Sequence, residues 1–402
     1  MEHYIFYCKL SLLAVLSLIT ACCMLSRRWY VNLAAFLACL SGETFLAHLF
    51  FPGYMLCPAA ASFIILFLSR IWDLSRTSAK GNGADPIRLP VRSGIRESRL
   101  EFYYYYSNFL VYGGAGSGKT KSIGKWLLSE YMRLGFAGFI YDFKDTDYTR
   151  TAYNLIKRHR YPHKFYYVSF DRPERSYRFN PLKVVRDRTE LIQLMEDVLL
   201  ALLPKKEQQN EWVAGGLGIL RGVAFRFWDE FPEHCTLPHI LAFIMTASAR
   251  QLSLFLQQNL VSEMLAGAYL KAEGSEKTQA SYLSTLCNNL ATVSQNEEIA
   301  YVLSGDDFDF NLIDPENPKL FAVSNNFSKN SVYAPVISML MTISARQFSM
   351  QNRVPFVYFL DEMTTVNIKN FETLPSVLRE YKAAFILLTQ SGSKVENQYG
   401  RL

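Results

Sequence analysis

Apolar positions follow three different rhythms along the chain. From Ile5 to Trp72 they form long, nearly unbroken runs. Ile5 to Met24 is about the length that crosses ~30 Å of hydrocarbon, and its one Lys, Lys9, sits near an end where it can snorkel. Val31 to Phe50 contains Asn32, Glu43 and His48; Tyr54 to Trp72 is cleaner, and Phe51-Pro52-Gly53 breaks the chain between them. From residue 100 onward the runs shorten. Phe109–Tyr112, Ala137–Tyr141, Lys164–Phe170, Lys319–Ser324, Pro355–Leu360 and Ala384–Leu388 predict strands. Helical spacing over Lys119–Leu134, Val332–Met350 and Glu372–Lys382 alternates with them, as in a parallel α/β sheet. Between 186 and 295 only helical spacing appears: Thr189–Leu203, Asn210–Phe231, Leu237–Met245, Ser248–Leu265 and Gln279–Ser294.

The pattern therefore predicts an α/β protein with N-terminal transmembrane helices. Residues 1–72 form the anchor, and 73–99, rich in Ser, Gly, Pro and Arg, form a linker. Residues 100–185 and 300–402 form one α/β core, into which an all-α domain, 186–299, is inserted.

Composition changes this picture in one place. Half of the 402 residues are hydrophobic and 19% are charged, with the apolar excess gathered before residue 73. Arg76, Lys80, Arg88, Arg92, Arg96 and Arg99 face only Asp85 and Glu97 over 76–99, which places that segment in the cytoplasm by the positive-inside rule. Arg27-Arg28 belongs inside by the same rule, giving three spans with the N-terminus outside. A Glu43 within a span is costly, which favours two spans, 5–25 and 54–72. Both topologies leave the α/β core in the cytoplasm.

The net charge of +6 is too mild to indicate nucleic acid by itself. Lys205-Lys206 and the Lys271–Lys277 stretch suit either a nucleic acid or an ordinary solvated helix face. The seven cysteines form no Cys-x-x-Cys pair and the six histidines add no metal-ligand spacing, so reduced, structural cysteines are expected.

The chemistry is concentrated after the first short strand. Gly113-Gly114-Ala115-Gly116-Ser117-Gly118-Lys119-Thr120 matches G-x-x-x-x-G-K-[ST]. Glycines let such a loop wrap phosphate closely and take positive φ, and successive backbone N–H groups turn toward the anion. Lys119 supplies charge for the β- and γ-phosphates of ATP, and Thr120 a hydroxyl ligand for Mg2+. The apolar strand ending in Asp361-Glu362 supplies the second half: Asp361 holds Mg2+ through water, and Glu362 acts as general base. Asp142, at the end of the second strand, either touches Mg2+-bound water or a neighbouring subunit, or caps the helix that starts near Thr146. Gln390 either senses the γ-phosphate or caps its strand; Arg379 is either an arginine finger or a surface cation.

Taken in order, these motifs resemble the TraG-like family of type IV secretion (conjugative) coupling proteins. The residues carrying the resemblance are the P-loop, Asp142-Phe143-Lys144-Asp145, Phe179-Asn180-Pro181-Leu182, Glu211-Trp212, Phe227-Trp228, Leu360-Asp361-Glu362, Leu374-Pro375 with Arg379 and Tyr381, and Leu388-Thr389-Gln390. The resemblance implies a RecA-like nucleotide domain, an all-α domain and a homo-hexameric ring on the bacterial inner membrane. It implies ATP-driven delivery of relaxase-bound single-stranded DNA, or of effector protein, to a type IV secretion channel. Lys119, Thr120, Asp361, Glu362, Gln390 and Arg379 match the family's nucleotide-site positions. Phe143 and Asp145 depart from the family's usual Pro and Gly. The chain stops twelve residues after Gln390, where the family's core normally continues, so the C-terminal part of the core is expected to be missing. The alternatives are a membrane docking platform that does not hydrolyse ATP and an FtsK-type DNA motor, against which the large helical insert argues.

Overall fold

The computed structural model describes residues 5–12, 14–15, 45, 48–50, 85–93, 96–114, 116–144, 146–203, 210–368 and 370–399. Contacts divide the chain into two units, Met1–Asp85 and Pro86–Leu402. The first is described only at short pieces, and the two or three expected spans lie largely outside the described residues. Among the described residues, no helix is long and apolar enough to cross a membrane.

The second unit is built on a six-stranded parallel sheet of order β3-β8-β7-β4-β6-β5. The strands are β3 Phe109–Tyr112, β4 Ala137–Asp142, β5 Lys164–Ser169, β6 Lys319–Ser324, β7 Phe356–Leu360 and β8 Ala383–Thr389. Every one of the six apolar runs is a strand. β4, β6, β7 and β8 are buried along their whole length, which explains why they read as unbroken apolar runs and not as alternating ones.

Alternation along each strand splits the side chains between two cores. On one face Val111, Ile140, Leu320, Phe359 and Ile386 pack with Leu127, Tyr131 and Tyr148. These last come from α1 Lys125–Arg133 and α2 Asp147–His159. On the other, Phe139, Phe321, Tyr358 and Phe385 pack with Ile337, Leu340, Leu194 and Met195. This second core continues without a break into the helices that separate β5 from β6.

Those helices are α3 Arg188–Leu202, α4 Glu211–Glu230, α5 Leu237–Thr246, α6 Ala249–Gln257, α7 Leu260–Leu265, α8 Gly267–Lys271, α9 Glu276–Ser294 and α10 Glu297–Leu303. α4 is their centre. Its glycines let neighbours approach closely: a Cβ at Gly218 would sit 2.8 Å from the Leu265 carbonyl oxygen. The helix expected over Ser248–Leu265 is two helices. Asn259 stops the first and caps the second, its side-chain oxygen accepting from the N–H groups of Val261 and Ser262. After β6 come α11 Asn330–Arg346, α12 Leu374–Glu380 and α13 Gly392–Tyr399.

The stretch read as linker acquires structure at its end. β1 Ile87–Ser93 and β2 Arg96–Phe102 form an antiparallel hairpin in register from Ile87↔Phe102 to Ser93↔Arg96. It is tied to α1: the Arg88 N–H donates to Glu130 Oε2 at 2.8 Å, and Arg133 donates to the Pro86 carbonyl at 2.9 Å. The scattered arginines conceal its apolar positions, of which Ile87 is fully buried.

Candidate nucleotide site

All six strands run the same way, so β3, β8, β7 and β4 end at one edge, where open α/β sheets bind ligands. β3 leads into the glycine-rich loop. Gly116 and Gly118 take φ of +76° and +81°, conformations that other L-residues resist. The loop then enters a π-helical turn, Thr120–Gly124, before α1 begins. The expected helix Lys119–Leu134 is thus composite. No side chain caps the turn's N-terminus, which leaves backbone N–H groups for an anion.

Lys119 and Glu362 meet across this edge. Lys119 Nζ lies 3.7 Å from Glu362 Oε2, and both side chains are almost fully buried. Neither atom has a hydrogen-bond partner. Glu362 is held at φ +52° by the turn after β7. Its other oxygen, Oε1, accepts from the Gln390 N–H at 3.2 Å and from the Thr389 hydroxyl at 3.3 Å. The general-base candidate is therefore aimed by the end of β8.

Asp361 precedes it and is 1% exposed, with neither carboxylate oxygen bonded. Burial, then the charge of Asp142, push its carboxyl up to about 7; Lys144 and Lys119 oppose them. Asp142 stands beside it, because β4 and β7 pair in register up to Tyr141↔Leu360. Asp142 Oδ2 accepts from the N–H and hydroxyl of Thr149, at 2.9 and 3.0 Å, in the first turn of α2. Thr146, the residue at the helix N-cap, makes no side-chain cap. The helix-capping reading of Asp142 is thus realised by one oxygen, while Oδ1 remains buried and unbonded. Burial raises the Asp142 carboxyl as well, with the Thr149 bonds acting against it.

The structure gathers Gly113–Thr120, Asp361 and Glu362 at one edge, with Ala115 outside the described residues. It also sets Asp142, at the end of β4, beside Asp361, and Thr389, at the end of β8, against Glu362. Gln390 joins through its backbone; its side chain is exposed. Arg379, on α12, is exposed and stands apart, without a hydrogen bond or ion pair to any described side chain.

A magnesium nucleotide fits these residues. A buried ammonium, two buried carboxylates and an uncapped helical turn face one another with their hydrogen-bonding capacity unfilled. Among the described residues, no group of three or more His, Cys, Asp or Glu would cage a metal. Mg2+ asks for none, since it keeps water and phosphate oxygens as ligands.

Comparison with known proteins gives a family and a fold. The family profile for type IV secretory system conjugative DNA transfer matches residues 87–402. No curated protein matches the sequence. Solved structures of the plasmid coupling protein TrwB share the fold. Its unbound monoclinic form has a TM-score of 0.60 at 17% identity, covering 82% of this chain and 70% of that chain. Its complex with a non-hydrolysable ATP analogue, ADPNP, has a TM-score of 0.60 at 16% identity, covering 82% and 72%. Its complex with ADP and Mg2+ has a TM-score of 0.57 at 17% identity; there the match covers 74% of this chain and 66% of TrwB, just under two thirds.

Proposed function

Since the chain belongs to the TraG-like family of type IV secretion coupling proteins, we propose that it is a membrane-anchored ATPase. In this reading it delivers a relaxase–DNA complex or effector protein to a conjugation channel. The observation carrying it is the set of buried, unbonded polar atoms of Lys119, Asp361 and Glu362 at the mouth of the glycine loop. Buried polar atoms left without hydrogen bonds destabilise a fold, so their retention at one sheet edge argues for a charged ligand there.

Each residue then has a task. The N–H groups of Gly114 to Thr120 and the Lys119 ammonium hold the phosphates. Thr120 and Asp361 hold Mg2+, which when bound neutralises charge on the β- and γ-phosphates. Glu362 orients a water and takes its proton. Its bonds to the end of β8 let Gln390, next to Thr389, register whether the γ-phosphate is present. Arg379 is too exposed to serve its own site and is assigned to the neighbouring subunit's nucleotide in a hexameric ring. Residues 1–72 anchor the ring in the inner membrane; 100–185 and 300–402 form the cytoplasmic motor, and 186–299 the helical cargo domain.

The test is ATP hydrolysis by the detergent-solubilised full chain, with and without single-stranded DNA. Hydrolysis stimulated by DNA and lost in Lys119→Ala supports the motor. Nucleotide binding without turnover under both conditions would instead identify a docking platform.

A further inference from the structure

Beyond the nucleotide site, the same sheet edge carries a loop with an unusual division of its side chains. It runs from Asn325 to Asn330, directly after β6, around the short 3-10 turn Phe327–Lys329. Its asparagines point inward. Asn325 is buried, donating to Asn330 Oδ1 at 2.7 Å and to the Tyr141 hydroxyl at 2.8 Å. Asn326 accepts from the Ser328 N–H at 2.8 Å and donates to Asp171. Lys329 bonds Asp171 at 3.0 Å and the Tyr333 hydroxyl at 3.1 Å. A loop pinned at so many points cannot fold its apolar residue away. Phe327 is left 81% exposed, meeting only the edge of Phe143 at 6.4 Å between centroids. Lys144 is exposed beside Phe143, and the Lys329 side chain remains 46% exposed.

The loop is also wired to the nucleotide site. The Asn325 N–H donates to the Asp142 carbonyl at 2.9 Å. The Tyr141 hydroxyl, which receives Asn325, lies 2.6 Å from Thr365 Oγ1. Thr365 in turn donates from hydroxyl and N–H to the Glu362 carbonyl, at 2.8 and 2.9 Å. One chain of hydrogen bonds thus joins the turn that aims Glu362 to the loop that presents Phe327.

We propose that the Asn325–Asn330 loop is a single-stranded DNA contact, with Phe327 stacking on bases and Lys144 and Lys329 meeting phosphates, and that Tyr141 links it to the Glu362 turn. The exposed phenyl offers a stacking surface, and Lys144, next to Phe143 in sequence, with Lys329, half exposed although bonded to Asp171, offers counter-charge; neither reads sequence. A duplex keeps its base faces stacked and cannot use the phenyl. The proposal rests on the DNA-motor reading above and specifies where that motor grips.

The experiment uses the full chain in detergent, fluorescein-labelled oligothymidine as probe, and ATP hydrolysis with and without it. Phe327→Ala is expected to weaken oligothymidine binding about 5- to 150-fold, the loss of one base–aromatic stack. It should reduce DNA stimulation while basal hydrolysis persists, and Phe327→Tyr should restore both. Tyr141→Phe should keep oligothymidine affinity and lose stimulation. Wild-type affinity in Phe327→Ala overturns the loop assignment alone. So does an altered oligomer on size exclusion with DNA affinity unchanged, which would make Phe327 a contact between copies. A wild-type chain that binds no oligothymidine overturns the DNA-motor reading and this inference with it.

Discussion

Asp361 carries a cost to stability at a single residue. Its carboxyl is buried without a partner and stands at about 7, against an ordinary value of 3.8. The folded form therefore holds this proton more tightly than the unfolded chain. Folding stability falls as pH rises from 3.8 through 7, and the penalty is fully present above that. In nucleotide-free protein with EDTA, Asp361→Asn is expected to raise Tm at pH 8, the gain being at most about 4 kcal/mol. The gain should shrink at pH 5; an equal gain at both would point away from titration. Glu362→Gln is expected to separate binding from chemistry. Fluorescent-nucleotide titration should show retained affinity, while phosphate release falls about 10²- to 10⁴-fold for a lost general base. Retained hydrolysis would remove Glu362 from that role.

Elements meet closely where the Thr120–Gly124 turn, α2 and β8 converge. A Cβ on Gly124 would stand 2.3 Å from the Tyr148 hydroxyl and 3.1 Å from Leu388. Gly124→Ala should therefore cost about 1–3 kcal/mol by overpacking. Tyr148→Phe removes a buried hydroxyl that lies beside Thr120 outside hydrogen-bond geometry, so alone it should change stability by about 1 kcal/mol or less. Combined with Gly124→Ala it should recover part of the loss; additive melting shifts in the double variant would contradict this contact. The same region shows what can be read in a sequence. The six short apolar runs after residue 100 are local and are strands, and the Gly113–Thr120 and Asp361-Glu362 motifs stand at the ends of two of them. Asn259, dividing one helical pattern into two, and the hairpin Ile87–Phe102 hidden among arginines were governed by single caps and by packing on α1. The approach of Asp142 to Asp361 and of Thr389 to Glu362 comes from strand register, and the exposure of Phe327 from asparagines bonding across the fold. None of these has a local signature.

For the whole molecule, the nucleotide site spans strands that are remote in sequence. Lys119 follows β3, Asp361 follows β7 and Thr389 ends β8. A ligand bridging them should hold the sheet's edge closed. ADP with Mg2+ at a hundred times its Kd is expected to stabilise the protein by about 2.7 kcal/mol, read as a melting shift that EDTA diminishes. Hydrogen exchange at Phe109–Tyr112 should slow at the same time, and unchanged exchange there would mean that the ligand does not engage β3.

The pairing of β3 with β8 has a consequence for how this protein is made. Among the described residues β3 has no other strand neighbour, and the Asn108 side chain that accepts from the Phe385 N–H reaches across 277 residues. At ~5–20 residues per second, the ribosome releases the phosphate-binding strand about 15 to 55 s before its partner exists. Throughout that interval Phe109–Tyr112 is an unpaired apolar strand in a nascent chain, the kind of segment that chaperones shield. The candidate site therefore cannot be complete until Ala383–Thr389 has left the ribosome, and a ribosome stalled before Ala383 would display a glycine loop whose strand lacks its partner.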